Sequence, residues 1–202
     1  MVNIAVFISG GGTNLQTLID SVQSNYIDNG EIKLVISSKE SAYGLERARK
    51  ANIKAEFIRD EDLIIKRLEE EKIDLIVLAG YLSIVSDRLV SLYENRIINI
   101  HPALIPSFCG PGYYGLHVHR AVLKRGVKVS GATVHFVSSV VDGGPIILQE
   151  AVDVSFCKSP EEMQKRVLES VEHKLLPKAV KLYCEDKVKV INGRVEILWK
   201  EH

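Results

Sequence analysis

"VNIAVFISGGGTNLQTLIDSVQS", residues 2–24, changes its period halfway along. Before the glycines the residues are mostly apolar, as in a strand buried on both faces. After them Leu15, Leu18, Ile19 and Val22 recur at helical spacing. Strand, glycine turn and helix make one unit of an α/β fold. The unit repeats: "EIKLVISS" (31–38), "KAEFI" (54–58), "DLIVLAG" (74–80) and "RIINIHP" (96–102) read as further buried strands. Charged helical segments, "SAYGLERARKA" (41–51) and "DEDLIIKRLEEEK" (60–72), separate them. Repeated βα units predict an open, mostly parallel twisted sheet with helices on both faces, a Rossmann-like architecture. After Pro111 the texture changes to "VKVSGATVHFV" (127–137), a "DGGP" turn, "IILQEAVDV" (146–154), a long helix over about 159–184 and a hairpin, "VKVINGRVEIL" (188–198). These read as a sheet extension and a covering helix.

The chain has 202 residues, 46% of them hydrophobic and 26% charged, enough for one sizeable core, and one domain is expected. Lys+Arg and Asp+Glu each total 26, so no global field draws the protein to nucleic acid or a membrane surface. The longest strongly apolar run, "LIVLAGYLSIV" (75–85), is far shorter than the roughly 20 residues of a membrane-spanning helix. The first residues carry no basic leader, and Cys109, Cys157 and Cys184 form no CxxC motif. A reduced cytoplasmic setting is expected, with no metal.

The loop "SGGGTN" (9–14) allows close backbone approach, and Thr13 or Asn14 can cap the following helix. The free N–H groups there suit an anion. A GxGxxG reading from Gly10 puts Leu15 in place of the third glycine, no GK[ST] follows, and Glu40 lies beyond the usual position of a ribose-binding acid. One phosphate therefore fits better than a dinucleotide. A tight turn holding no ligand fits the loop equally well.

In "INIHPALIPS" (98–107) Asn99 and His101 share one face of a strand while Ile98 and Ile100 point into packing. Pro102 biases His101 toward extended backbone and Pro106 stiffens the exit. Ligands of open α/β sheets sit beyond the strands' carboxyl ends, where this pair falls. An imidazole beside an amide donor suits an oxyanion; a surface histidine beside a satisfied asparagine is the plain alternative. "SSVVDGGPII" (138–147) is ordinary turn chemistry on its own. Within about 4–6 Å of an imidazole, though, Asp142 would favour the imidazolium and supply a general acid.

Taken together, "VFISGGGTNL" (6–15), "INIHPALIPS", "GLHVHRAVL" (115–123), "GATVHFV" (131–137) and "DGGPIILQ" (142–149) resemble the folate-dependent formyltransferases over essentially the whole chain. The NxHP and DGGP elements are common to that family, and the SGxGTNL loop resembles its glycinamide ribonucleotide members. The resemblance implies transfer of a formyl group from 10-formyltetrahydrofolate to the amine of 5-phosphoribosylglycinamide, in purine synthesis. It implies catalysis by Asn99, His101 and Asp142, with His101 protonated and helping Asn99 hold the oxyanion. Gly11, Gly12, Thr13 and Asn14 would hold the phosphate and Glu172 the ribose. Tyr81, Leu82, Ser83, Ile84 and Val85, with Ser138, Ser139, Val140 and Val141, would surround the folate, and Thr133 and His135 would line the same region. About the first 100 residues would form the phosphate half, and residues 101–202 the folate and catalytic half. Monomer and homodimer are both open.

Three departures from the family pattern stand out. "SFCGPGYY" (107–114) is longer than the usual link before "LHVHR", Ser83 stands where many relatives carry arginine, and the segment after Arg59 is short, leaving a folate-contacting arginine without a counterpart. The longer loop reads either as a lid or packed excursion, or as a neutral insertion. Among rivals, a methionyl-tRNA formyltransferase would carry a further C-terminal domain, and a formyltetrahydrofolate hydrolase a domain before the first strand. A noncatalytic binding module would use the glycine loop alone, and a dinucleotide-dependent oxidoreductase is disfavoured by Leu15.

Overall fold

The computed structural model describes residues 1–198. In chain order its elements are β1 (Val2–Ile8), α1 (Thr13–Gln23), β2 (Gly30–Ser37), α2 (Tyr43–Lys50), β3 (Lys54–Phe57), α3 (Glu61–Glu70), β4 (Leu75–Leu78), α4 (Asp87–Leu92) and β5 (Ile97–His101). There follow α5 (Leu116–Arg125), β6 (Val129–Phe136), β7 (Ile146–Asp153), α6 (Pro160–Val167), a π-helical turn (Leu168–Glu172), α7 (His173–Cys184), β8 (Val188–Ile191) and β9 (Arg194–Ile197). Seven strands form one sheet in the order β3-β2-β1-β4-β5-β6-β7. The first five are mutually parallel; β6 and β7 run antiparallel to their neighbours. The hairpin β8–β9 forms a second small sheet.

The alternation of β1 explains the layering. Ile4, Val6 and Ile8 face a core shared with α1, α5, α6 and α7, while Ala5 and Phe7 face one shared with α3 and α4. Both faces of the sheet are thereby covered, as the continuous apolar runs predict. Strand order reverses between β1 and β4, so the loops leaving their carboxyl ends are neighbours, and Leu82 N–H donates to Ser9 Oγ at 2.8 Å.

Two expectations need correction. The helix anticipated over about 159–184 is two helices joined by a π turn, with Ser159 capping α6 through Glu162 N–H and Pro177 inside α7. Neither Thr13 nor Asn14 caps α1: Gly12 occupies the cap position at φ 70°, which leaves the Asn14 side chain free for another partner. Among the described residues no helix is long and apolar enough to cross a membrane.

Candidate active site

Two clefts open at the carboxyl ends of the parallel strands. The first, of about 380 Å³, is walled by the loop after β1, by β5 and by the π turn. Gly11, Gly12, Thr13, Asn14 and Glu172 all line it. Asn14 Nδ2 donates to Glu172 Oε2 at 2.8 Å, a buried bond that ties α1 to the π turn. Burial pushes the Glu172 carboxyl up to about 7 against the opposing effect of that bond. Asn14 Oδ1 is buried without a protein partner, as are both ring nitrogens of His119, which is also on this wall. Burial first, and His101 second, drive His119 down to about 4, so it is neutral near pH 7. Buried polar atoms on a cleft wall are satisfied by what enters the cleft.

The second cleft, of about 660 Å³, is lined by Tyr81, Leu82, Ser83, Ile84 and Val85 after β4 and by Ser138, Ser139, Val140, Val141 and Asp142 before β7. Exposed apolar side chains dominate its mouth: Ile84 is 86% exposed and Val140 65%. Such exposure on a concave surface suits a flat, largely apolar ligand. Beside Ser83 a smaller cavity contains Arg59, whose Nε is spent on Ser38 O at 3.0 Å.

The polar residues converge where the clefts meet. Asn99 lines both, His101 the first, and Asp142 and His135 the second. Asn99 and His135 are cross-strand partners on β5 and β6. His135 Nδ1 lies 2.8 Å from Phe136 O, and a carbonyl only accepts, so Nδ1 carries the proton. Its Nε2 then accepts from Asn99 Nδ2 at 3.1 Å, which fixes the amide orientation and leaves the other amide hydrogen unspent on that ring. The same reasoning puts a proton on His101 Nε2, 2.8 Å from Phe108 O.

Asp142 sits between the two rings, with Oδ2 3.6 Å from His101 Nδ1 and Oδ1 3.6 Å from His135 Nε2. Gly110 N–H donates to Oδ2 at 2.9 Å. Burial alone would raise the Asp142 pKa, but His135 and His101, whenever the facing nitrogen carries a proton, and the Gly110 amide hold it below the usual carboxylate range. For His101 the balance falls differently from the protonated state the resemblance implies. Burial outweighs Asp142 and the Phe108 carbonyl, and the ring's pKa drops below its ordinary value. A proton arriving at Nδ1 would convert the 3.6 Å contact into an ion pair, so the arrangement can take up a proton during a reaction and return it.

The long loop is a packed excursion. Phe108 packs against the main core and on the Tyr113 ring at 6.3 Å, and the loop backbone holds His101 and Asp142 at once. Tyr113 and Tyr114 line both clefts, a role their loop sequence does not signal. Gln164 and His119 on the first cleft were equally unsignalled, each reading as part of a helix. Thr133 lines neither cleft. Its hydroxyl donates to Ala103 O at 2.7 Å and accepts from Ile105 N–H and Gln149 Nε2, bracing the segment after His101. All three cysteines are free, and burial with Asp142 nearby raises the Cys109 thiol. Among the described residues no group of three or more His, Cys, Asp or Glu could hold a metal ion.

Comparisons with known proteins bear on the family. Residues 2–180 match the formyl transferase family. Phosphoribosylglycinamide formyltransferase of Escherichia coli is 38% identical, over 93% of this chain and 90% of its own length. The chloroplastic enzyme of that name from Arabidopsis thaliana is 39% identical over 92% of this chain, which spans 66% of that relative. The crystal structure of glycinamide ribonucleotide transformylase 1 from Symbiobacterium toebii superposes with a TM-score of 0.90 at 40% identity, covering 98% of this chain and 94% of the other. Sequence match, sheet topology and paired clefts lead to one assignment: this chain belongs to the formyltransferase family.

Proposed function

We propose that this chain transfers the formyl group of 10-formyltetrahydrofolate to the amine of 5-phosphoribosylglycinamide. The observation that carries the reading is the position of Asn99, on the wall shared by an anion-suited cleft and an apolar one. Two substrates bound in those clefts would meet at its amide. The phosphate sits on the loop amides of residues 11–14, the ribose beside Glu172 and the pteridine between residues 81–85 and 138–141. Residues up to about 100 would thus supply the phosphate loop and one side of the folate cleft, and the remainder its other side, Asp142 and Glu172.

The amine nitrogen attacks the formyl carbon, forming a C–N bond and placing negative charge on the formyl oxygen. Asn99 Nδ2–H and the His101 ring stabilise that oxyanion. Collapse breaks the bond from the carbon to the folate N10, and the proton lost by the amine reaches N10 through Asp142 and a water. On its way that proton rests on His101 Nδ1, opposite Asp142, so the ring, neutral before and after, is the better donor while the oxyanion exists. We place the reaction in the cytoplasm, where three free thiols stay reduced.

The test mixes purified protein with 10-formyltetrahydrofolate, with and without 5-phosphoribosylglycinamide, and follows deformylation by absorbance. Turnover only with the ribonucleotide is expected. Turnover without it would identify a hydrolase, and no turnover would return the chain to a binding role.

A further inference from the structure

A loop that binds an anion through its amides must turn its carbonyls elsewhere, since each carries lone pairs that repel the ligand. In residues 10–12 three successive carbonyls are each taken by a donor. Gly12 O accepts from Gln16 N–H at 2.9 Å in the first turn of α1. Gly10 O accepts from Gly44 N–H at 3.1 Å, and Gly11 O from Arg47 Nε at 2.8 Å. The last two donors both come from α2, an element that contributes nothing to the wall of the cleft.

The approach of α2 is close enough to dictate sequence on both sides. A Cβ on Gly12 would lie 2.7 Å from Gly44 Cα, and one on Gly44 would lie 2.4 Å from Ile8 Cδ1. Arg47 is itself held in place: Nη1 donates to Gln16 Oε1 at 3.2 Å, and the guanidinium lies 5.1 Å over the Tyr43 ring. Gln16 is steadied by its own bond to Asp20 Oδ1 at 2.9 Å. The guanidinium thus stands behind the loop, on the side away from the cleft, bordering a separate shallow depression with Gln16, Tyr43 and Lys50.

We propose that Arg47 is a positioning residue for the ribonucleotide phosphate. It draws the Gly11 carbonyl out of the first cleft, so that the following amides face inward, and sets a fixed positive charge behind them. The identity of the phosphate's owner rests on the function proposed above; the clamp does not. The arginine never touches the ligand, so its effect is confined to substrates that carry a phosphate.

Three proteins, wild type, Arg47→Ala and Arg47→Lys, test this with two readouts. In the first, KM and kcat are measured for 5-phosphoribosylglycinamide and for its dephosphorylated nucleoside. Arg47→Ala should raise KM for the phosphorylated acceptor on the order of 10-fold, the scale of one charge-assisted hydrogen bond. Its kcat, and kcat/KM for the nucleoside, should stay within about twofold, and Arg47→Lys, whose ammonium reaches the same carbonyl, should recover most of the loss. In the second, inorganic phosphate is titrated and the Gly12, Thr13 and Asn14 amides are followed by NMR, with Kd rising in Arg47→Ala by a similar factor. Equal losses on both acceptors, a fall in kcat alone, or an unchanged phosphate Kd would overturn the proposal. If Arg47→Ala does not fold, Gln16→Ala, which removes one anchor of the guanidinium, should give a smaller shift confined to the phosphorylated acceptor, and its absence would count against the clamp. Wild-type protein that binds phosphate at these amides but does not formylate the ribonucleotide would defeat the proposed function, leaving the phosphate titration to judge the clamp.

Discussion

His101 donates its Nε2–H to the carbonyl of Phe108 at 2.8 Å, so the free protein keeps this donor engaged within its own loop. A buried, neutral imidazole needs some acceptor there, and the loop provides one, which in the proposed reaction a developing oxyanion would displace. Burial lowers the His101 pKa while Asp142 raises it, in that order of size. Asp142→Asn removes only the raising contribution, so the His101 pKa should fall further below 6.5. An NMR titration of the ring in both proteins checks this, and an unchanged midpoint would exclude electrostatic support from Asp142.

Asn99→Ala removes an amide held in place by His135 Nε2 at the junction of the clefts. Loss of one preorganised oxyanion donor costs on the order of 100- to 1000-fold in turnover. With the folate placed as proposed, between residues 81–85 and 138–141, its affinity should change much less. Steady-state kinetics beside equilibrium folate titration separates the two, and wild-type turnover would remove Asn99 from the mechanism.

Glu172 sets the sign of one limb of the stability profile. Its carboxyl titrates near 7 when folded and near 4.5 when unfolded. Between those values the folded protein keeps a proton that the unfolded chain has released, so this contribution is present at low pH and lost as pH rises from about 4.5 to about 7. His119 works in the opposite sense: its pKa falls from 6.5 to about 4 on folding, and its contribution is lost as pH falls through that window. Glu172→Gln should abolish the loss on the alkaline side and retain the acid limb. At pH 8 the variant should exceed wild type by a few kcal/mol, at roughly 1.4 kcal/mol per pKa unit. Urea midpoints at pH 5, 6, 7 and 8 measure this, and a persistent alkaline loss in the variant would point to another group.

Thr133→Val keeps the shape of a fully buried side chain and deletes the hydroxyl that joins Ala103 O, Ile105 N–H and Gln149 Nε2. The groups left without a partner should cost about 2 kcal/mol of stability. The urea midpoint should drop, with folate affinity close to wild type because Thr133 lines neither cleft. A variant as stable as wild type would show that the brace is dispensable.

How much of this was legible in the sequence depended on burial. β1, β2, β4 and β5 announced themselves because strands covered on both faces leave continuous apolar runs. α4, with six residues, is too short for helical periodicity to accumulate. Asn99 and His101 were readable as a shared strand face, and Asp142 became meaningful only beside them. Thr133 misled because it shares the face of His135; two residues along the strand, the same face lies beneath the Ala103–Ile105 backbone instead of a cleft. Arg47 sits in an ordinary charged helix, and only the folded approach of α2 to the glycine loop gives it a partner. The partner of His101 Nε2–H is a loop carbonyl, which side-chain chemistry cannot encode.

The π turn between α6 and α7 constrains how many residues stand there more than which ones they are. A regular helix turns about 100° per residue, so one extra residue in a turn offsets everything after it by that angle. With the offset, Met163 and Val167 before it and Leu175, Leu176 and Ala179 after it meet the same core, while Glu172 at the seam reaches Asn14. Deleting any one residue from 168–172 would let the two helices run on in a single phase, costing either the core its packing or the cleft its acid. This stretch should therefore tolerate exchange of its exposed residues far better than any change in its length.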